Sequence, residues 1–382
     1  MKIMKAYKFR LYPNIEQKIL INKTIGCTRF IYNYMLEKKI KNNKLSRFDL
    51  NNLIPSVCEE YPYLKEVDSM SLRCAIKDLS EGFNKYYNGK GGLPNYKKKG
   101  KKDSYRTNLI TSIYKGKKYE NIKLDLQKRI ITLPKLKEIK IRGYRHLTNI
   151  NGRIINVTIE QEVNKYYISV CVCEEYELPP KKEQTVVGID IGVKSLVVTS
   201  NGETFGNPKY NQKYEKRIKR LQKSLSRKIK ESNNYKKNKI LLARCYQKLR
   251  NTRKKLVEKI VSKVTEYNDI IVCEKLKVKE MIEINKCLRK NIINSTFGLI
   301  ITKMKDKCKY LNKEFIQVDT YYPSSQICSR CNNIDKGMKN LSKREYKCHK
   351  CGIEIERDLN ASINIMYEGL ITYYKKNIVK IK

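Results

Sequence analysis

In AYKFRLY, residues 6–12, apolar and basic side chains alternate: Tyr7, Phe9 and Leu11 fall on one face, Lys8 and Arg10 on the other. A period of two predicts a strand with one buried face. Pro13 ends it, and Asn14 followed by Gln17 has the spacing of a capping box, so a helix is expected to open there. The helical period continues to about Tyr87; Ala75, Leu79 and Phe83 share a face in SMSLRCAIKDLSEGFNKYY. NGKGGLPNYKKKGKKDSYRT then breaks the pattern with Gly, Pro and Lys, which predicts a domain boundary. From Ile122 to Glu175 the chain reads as short strands, IKLD, RIITLP, EIKIRG, IINVTIEQEV and KYYISVCVC, separated by turn residues. Such spacing predicts a small antiparallel sheet or barrel.

Val186–Ile189 is the next apolar strand, and SLVVTSNGE a second one closing on an Asn201-Gly202 hairpin turn. Two long basic helices are expected at about 211–230 and 235–267, broken at Ser232-Asn233-Asn234. Leu221, Leu225 and Ile229, then Leu249, Leu256, Ile260 and Val264, give each an apolar stripe suited to packing. DIIVCEKL reads as another buried strand with a charge at its end.

Composition narrows the partner. The 382 residues hold 83 Lys+Arg against 38 Asp+Glu, a formal net charge of +45. Such an excess suits a polyanion, because each cation set on a phosphate releases counterions. No apolar run approaches the ~18 residues a membrane span needs, so nucleic acid is favoured over a membrane. The opening MKIMKAYKFRLYP lacks the apolar core of a signal peptide. Thirteen unevenly placed cysteines do not form a disulfide framework, which points to a reducing compartment.

Two constellations carry chemistry. Cys328-x-x-Cys331 and Cys348-x-x-Cys351 are matched knuckles whose four thiolates suit a closed, structural tetrahedral Zn²⁺ site. Cys171 and Cys173, alternating on a strand, are read as packing residues. The second constellation is three acids: Asp190 ending VVGID, Glu274 ending the DIIVCE strand, and Asp358 in ERDLNASINI, a predicted helix. An acid at the end of a buried strand is costly unless a cation pairs with it. For any one of the three a salt bridge or solvated end suffices; together they point to a site for Mg²⁺ or Mn²⁺, which take hard oxygen ligands.

GIDIGVKSLVVTSNG, VCEKL, YYPSSQICSRC and CHKCGIEIERDLNASINI resemble the nuclease domain of the TnpB family, transposon-encoded RNA-guided DNA endonucleases related to type V CRISPR effectors. KAYKFRLYPNIEQ, GCTRFIYNYML, GLPNYKKKG and ITLPKLKEIKIR are similar to earlier family segments, so the likeness spans nearly the whole chain. It implies a mixed α/β multidomain fold. An oligonucleotide-binding-type β-barrel (wedge) would comprise 1–12 and 88–180, and a helical recognition domain 13–87. An RNase H-like (RuvC) nuclease domain would comprise 181–320 and 355–382, and a zinc-ribbon insert 321–354.

The resemblance further implies Asp190, Glu274 and Asp358 as catalytic Mg²⁺ or Mn²⁺ ligands performing two-metal hydrolysis, a structural Zn²⁺ on the four cysteines, and a guide RNA. Guide pairing would read double-stranded target DNA while protein side chains read a short flanking motif. Ser69, Met70 and Arg73 are candidates for that reading. Lys97, Lys98 and Lys99 are candidate phosphate contacts in a run that equally suits a solvated loop. Arg357 is a candidate for a phosphate, the neighbouring acids or a helix ion pair, and Asn360 and Asn364 are expected to cap or pack their helix. A monomer in a bacterial cytoplasm, drawn to the nucleoid through DNA, is expected, with a viral or eukaryotic host left open. Departures from the family are the missing Trp and Tyr-Lys-Ala run in STFGLIITKMKDKCKYLNKEFIQVD, and Asn332 after Cys331 where Gly is common. A nuclease-inactive RNA-guided repressor and an unguided structure-selective nuclease remain alternatives.

Overall fold

The structure, a computed structural model, describes all residues except 101, 115–116, 145–146, 183, 209, 285–288, 290–291, 293–295, 341 and 382. It divides into two compact units, Met1–Glu177 and Leu178–Lys382.

The first unit opens with β1 (Lys2–Tyr12) and α1 (Ile15–Lys41), joined by the expected capping box: Asn14 and Gln17 each accept the other's backbone N–H. Helices α2 (Arg47–Asn52), α3 (Ile54–Glu60) and α4 (Ser69–Tyr87) follow. Ile31, Met35 and Leu36 of α1 pack with Leu72, Ile76, Leu79 and Phe83 of α4 in a core of their own. The remaining strands are β2 (Ser104–Asn108), β3 (Thr111–Tyr114), β4 (Lys117–Glu120), β5 (Lys123–Asp125), β6 (Ile130–Leu133), β7 (Lys137–Arg142), β8 (Arg153–Glu162) and β9 (Lys165–Glu175). Seven of these nine strands form one antiparallel sheet in the order β2-β8-β9-β1-β7-β6-β5. β1 is central, paired in register with β9 from Lys2↔Glu175 to Leu11↔Tyr166. Tyr7, Phe9 and Leu11 face one core shared by Tyr105 of edge strand β2 and by Ile122, just before edge strand β5. The sheet therefore curls around that core.

The second unit is built on a five-stranded sheet, order β12-β11-β10-β13-β14. Its members are β10 (Val186–Asp190), β11 (Ser195–Thr199), β12 (Thr204–Gly206), β13 (Ile270–Glu274) and β14 (Glu314–Val318). β10, β13 and β14 run parallel; β11 is antiparallel to β10, and β12, antiparallel to β11, runs in the direction of β10 again. Among the described residues the unit carries helices α5 (Tyr210–Ser226), α6 (Asn233–Tyr267), α7 (Val278–Ile284), α8 (Phe297–Tyr310) and α9 (Arg357–Ile381), with the hairpin β15 (Glu345–Lys347) and β16 (Glu354–Glu356) just before α9. Parallel strands covered on both faces read as unbroken apolar runs, and VVGI and IIVC are such runs. Val187, Ile189, Ile271 and Cys273 pack against Val257, Ile260 and Val264 of α6 and Ile300 and Met304 of α8. Ile270, Val272, Ile316 and Val318 pack the other face against Ile365 and Tyr373 of α9.

Leu249, Ile260 and Val264 are buried as expected. Ile229 is not part of a packing stripe: α5 ends at Ser226, and Ile229 is 83 % exposed beyond it. No helix among the described residues is long and apolar enough to cross a membrane.

Candidate functional site

The acids follow from strand register. Gly188 pairs with Val272 and Ile189 with Cys273 in the parallel β10/β13 ladder, so the next residues, Asp190 and Glu274, stand side by side at two carboxyl ends. Such ends form the open crevice of an α/β sheet. Asp358 occupies the first turn of α9, the helix that covers β10 and β13. Burial first, then the charges of Glu274 and Asp358, push the Asp190 carboxyl up to about 8, against a pull downward from Arg357. Burial likewise raises Glu274, and a hydrogen bond from Ser324 offsets part of that. The three acids thus share one electrostatic neighbourhood, brought together from positions 84 and 168 residues after Asp190.

Two glycines set how closely α9 approaches. A Cβ on Gly188 would lie 2.0 Å from the Ser362 carbonyl oxygen and 2.6 Å from the Met366 nitrogen. A Cβ on Gly369 would lie 2.2 Å from Cγ1 of Val272. The helix backbone therefore rests directly on β10 and β13, which carries Asp358 to the strand ends.

The segment between β14 and the cysteine knuckles is tied to α9 by buried polar side chains. Asn364 Nδ2 donates to the carbonyls of Ser324 (2.8 Å) and Ile327 (2.7 Å). Asn360 Nδ2 donates to Ile327 O at 2.7 Å, and its Oδ1 accepts the Ser329 amide at 2.9 Å. These asparagines therefore bond the knuckle segment to the helix and do not cap it. Arg357 is 7 % exposed; its guanidinium donates to Asn340 O at 3.1 Å and, at 3.5 Å, to Lys343 O and Ser325 Oγ. Burial and these acceptors assign Arg357 to holding the knuckle, where a phosphate contact would need exposure. Arg344 lies 3.8 Å from Asp358.

The four thiols of Cys328, Cys331, Cys348 and Cys351 all lie within 4.8 Å of one another, the one such metal-ligating group among the described residues. The carboxylates meet no such limit, although they interact electrostatically. Cys328 and Cys351 sulfurs are 3.6 Å apart, and those of Cys331 and Cys348 3.5 Å. Tetrahedral zinc with bonds of about 2.3 Å separates its sulfurs by about 3.8 Å, so the set fits that ion. Each knuckle closes alike: Asn332 N–H donates to Cys328 O, and Gly352 N–H to Cys348 O. Both residues sit at positive φ, +58° and +71°. Asn is among the few side chains that tolerate this region, which explains why it can stand where Gly is common. The amide of Cys351, with that of Lys350, pulls the Cys348 thiol down to about 6 against its burial. Cys331 gains an amide bond from Asn333, but burial and hydrogen bonds with the other thiols carry it up to about 12.

The remaining predicted residues lie in the first unit. Ser69 and Arg73 are exposed and Met70 half-buried on the first turns of α4, behind an Asp68 N-cap. Lys98 and Lys99 are exposed. Lys97 is anchored: its ammonium stands 3.9 Å from the Tyr32 ring centroid, and its backbone exchanges hydrogen bonds with Asn33. Sequence reasoning missed Gly188, Gly369 and Ser324. The quoted GID and YYPSSQIC contained two of them, but a close approach and a cross-chain hydrogen bond leave no mark on periodicity.

Fold and site together define a mixed α/β protein carrying a zinc-ribbon-like knuckle against a cluster of strand-end acids. Residues 169–285 match the OrfB_IS605 family, described as "Probable transposase", and residues 297–365 match "Cas12f1-like, TNB domain". Residues 1–45 match a family described as "Helix-turn-helix domain", although here they form β1 and one long helix. A "Putative RNA-guided DNA endonuclease" of Streptomyces pristinaespiralis is 28% identical over 378 residues, 97% of this chain and 90% of that protein. "Putative RNA-guided DNA endonuclease InsQ" of Escherichia coli (strain K12) is 28% identical over 394 aligned positions, covering 97% and 93%. Among solved structures, the cryo-EM Cas12f1-sgRNA-target DNA complex aligns with a TM-score of 0.56 at 14% identity, covering 96% of this chain and 99% of that one. Along nearly its whole length the chain thus resembles the TnpB family.

Proposed function

We propose that this chain is the RNA-guided DNA endonuclease of a mobile element, cutting target DNA beside a short flanking motif. One observation carries the catalytic part: Asp190 and Glu274 stand side by side at the carboxyl ends of parallel β10 and β13, with Asp358 in the first turn of the helix laid over them. The strand order and directions of this sheet, with helices on both faces, support reading it as the RNase H-like nuclease domain. Residues 321–354 are its zinc-binding insert. The curled sheet of residues 1–12 and 88–180 is read as the wedge barrel, and 13–87 as the recognition domain. The names of the relatives support guide RNA and DNA as partners, the DNA being read here as a double-stranded target, and the formal charge of +45 suits both.

Asp190, Glu274 and Asp358 would hold Mg²⁺ or Mn²⁺. Their chemistry fits, because three hard oxygen donors share a site where Asp190 resists ionising without a cation. When bound, such ions polarise a phosphodiester and lower the pKa of bound water. The chain's own part is positional. Adjacent strand ends fix Asp190 and Glu274, the glycine contacts fix the height of Asp358, and the sheet beneath excludes water. Zinc on the four cysteines would hold the knuckle whose backbone Arg357, Asn360 and Asn364 grip.

The test uses protein purified with its RNA. Asp190→Ala, Glu274→Ala and Asp358→Ala should each abolish cleavage in Mg²⁺ while guided DNA binding persists. Double substitutions should cost no more than single ones, since one missing ligand breaks the site. Cleavage by Asp190→Ala, or by wild type in excess EDTA, would reject the site. Loss of binding with cleavage would make Asp190 structural. RNA-free protein that cuts would favour an unguided nuclease, and guided binding without wild-type cleavage a repressor.

A further inference from the structure

We propose that Ser324 is a positioning residue for the divalent-metal site, holding one carboxylate oxygen of Glu274 so that the other alone faces the cation. This rests on the reading of Glu274 as a metal ligand. The Ser324 hydroxyl donates to Glu274 Oε1. Ser324 is 5 % exposed, so bulk water does not compete for that oxygen. Its backbone is fixed in turn, because Asn364, 3 % exposed on α9, donates to its carbonyl at 2.8 Å and to that of Ile327 at 2.7 Å. The donor is thus anchored by the helix that carries Asp358, and the acceptor by the strand beside Asp190. Ser324 joins the helix that carries Asp358, through its carbonyl, to the strand that carries Glu274, through its hydroxyl.

Carboxylate chemistry gives the link its consequence. The terminal torsion of Glu is broad and two-fold, so a free Glu274 can present either oxygen or both. A hydroxyl on Oε1 removes that freedom and leaves a monodentate ligand. Monodentate carboxylates suit Mg²⁺, which keeps octahedral geometry at about 2.0–2.1 Å, whereas bidentate ones suit Ca²⁺, with six to eight ligands at about 2.3–2.6 Å. Ser324 therefore tunes the site towards the smaller ion. The same logic gives SSQIC a role: the turn that leads into the knuckle delivers a hydroxyl to the acid site four residues before the first thiol, Cys328.

The experiment compares wild type, Ser324→Ala and Ser324→Thr as full chains with bound RNA. Three quantities are read: Mg²⁺ for half-maximal cleavage, Ca²⁺ for half-maximal inhibition, and the rise in melting temperature that Mg²⁺ confers. Removing a partner that orients a metal ligand costs about 10–100-fold in metal affinity. Ser324→Ala should raise the Mg²⁺ requirement by that factor, lower the Ca²⁺ needed to inhibit, and shrink the Mg²⁺-dependent melting shift. Zinc content and target binding should stay at wild-type levels. Ser324→Thr, which keeps the hydroxyl, should restore much of the Mg²⁺ response. An unchanged Mg²⁺ requirement in Ser324→Ala overturns the assignment, as does a loss accompanied by zinc release or a Thr variant no better than Ala. A wild type that neither cuts nor gains stability from Mg²⁺ would sink the metal-site reading itself. A wild type that does both while Ser324→Ala matches it would sink only the role of Ser324.

Discussion

Gly188 carries no functional atom, yet the site depends on its missing side chain. The atoms a Cβ would meet, Ser362 O and Met366 N, belong to helix backbone and cannot rotate away. Gly188→Ala must therefore lift α9 or bend β10. Overpacking in a close-packed interior costs about 1–3 kcal/mol and occasionally more, and here it also withdraws Asp358 from the strand ends. The expected result is a lower urea midpoint together with a cleavage loss larger than the loss of target binding. Gly206→Ala is the control, because nothing lies within 4 Å of its added Cβ. Equal midpoints for the two variants would show that α9 does not rest on Gly188.

At the scale of elements, a buried ion pair joins the start of β13 to the strand and helices beside it. Asp269, 7 % exposed, accepts from the Thr185 hydroxyl at 3.1 Å and the amides of Gln184 and Thr185 at 3.3 and 3.4 Å. Lys313 stands 3.6 Å from it and donates to Thr265 O and Asn268 O, carbonyls at the end of α6. Cations at a helix carboxyl end answer its dipole and its unpaired carbonyls. Burial pushes the Asp269 carboxyl up; Thr185, the two amides and Lys313 outweigh it, so the group titrates below its ordinary 3.8. With a depressed folded pKa, the unfolded chain takes up the proton first as pH falls. The stabilisation is full above about pH 4 and is lost as pH drops through the folded value. Asp269→Asn should lose about 1–3 kcal/mol at pH 7, the scale of a broken charged hydrogen bond. It should also lose less than wild type on going to acid, read from denaturant midpoints at pH 7 and pH 3. An identical acid dependence would remove Asp269 from the account.

For the whole molecule, charge governs association. With a net formal charge of +45, affinity for the target should fall steeply with salt, log affinity changing by about 0.7–0.9 of a log salt unit for each phosphate neutralised. Lys97, Lys98 and Lys99 all stand exposed, but the Lys97 ammonium is held over Tyr32. Lys98→Ala with Lys99→Ala should flatten the slope by up to about 1.4–1.8, twice the single-phosphate increment. A slope equal to wild type would leave YKKKGKK a solvated loop.

How much of this could be read from sequence depends on the range of the physics involved. The strand at Tyr7-Phe9-Leu11, the Asn14/Gln17 box and the thiol spacing are local, set within about one turn or one pleat, and the residues alone determined them. So were the strand-end positions of Asp190 and Glu274, because an apolar run ending in an acid is a one-dimensional pattern. Only tertiary structure decided that β1 lies at the centre of a sheet whose other strands begin past residue 100, since pairing partners are chosen by packing. It also moved Arg357, Asn360 and Asn364 from caps and contacts to buried grips on the knuckle, because a side chain's partner depends on what the fold carries past it. The sequence determined which groups could do chemistry. The fold decided which of them meet, since Ser324 reaches Glu274, and Asp358 comes into the electrostatic neighbourhood of Asp190, only in a structure where α9 rests on Gly188.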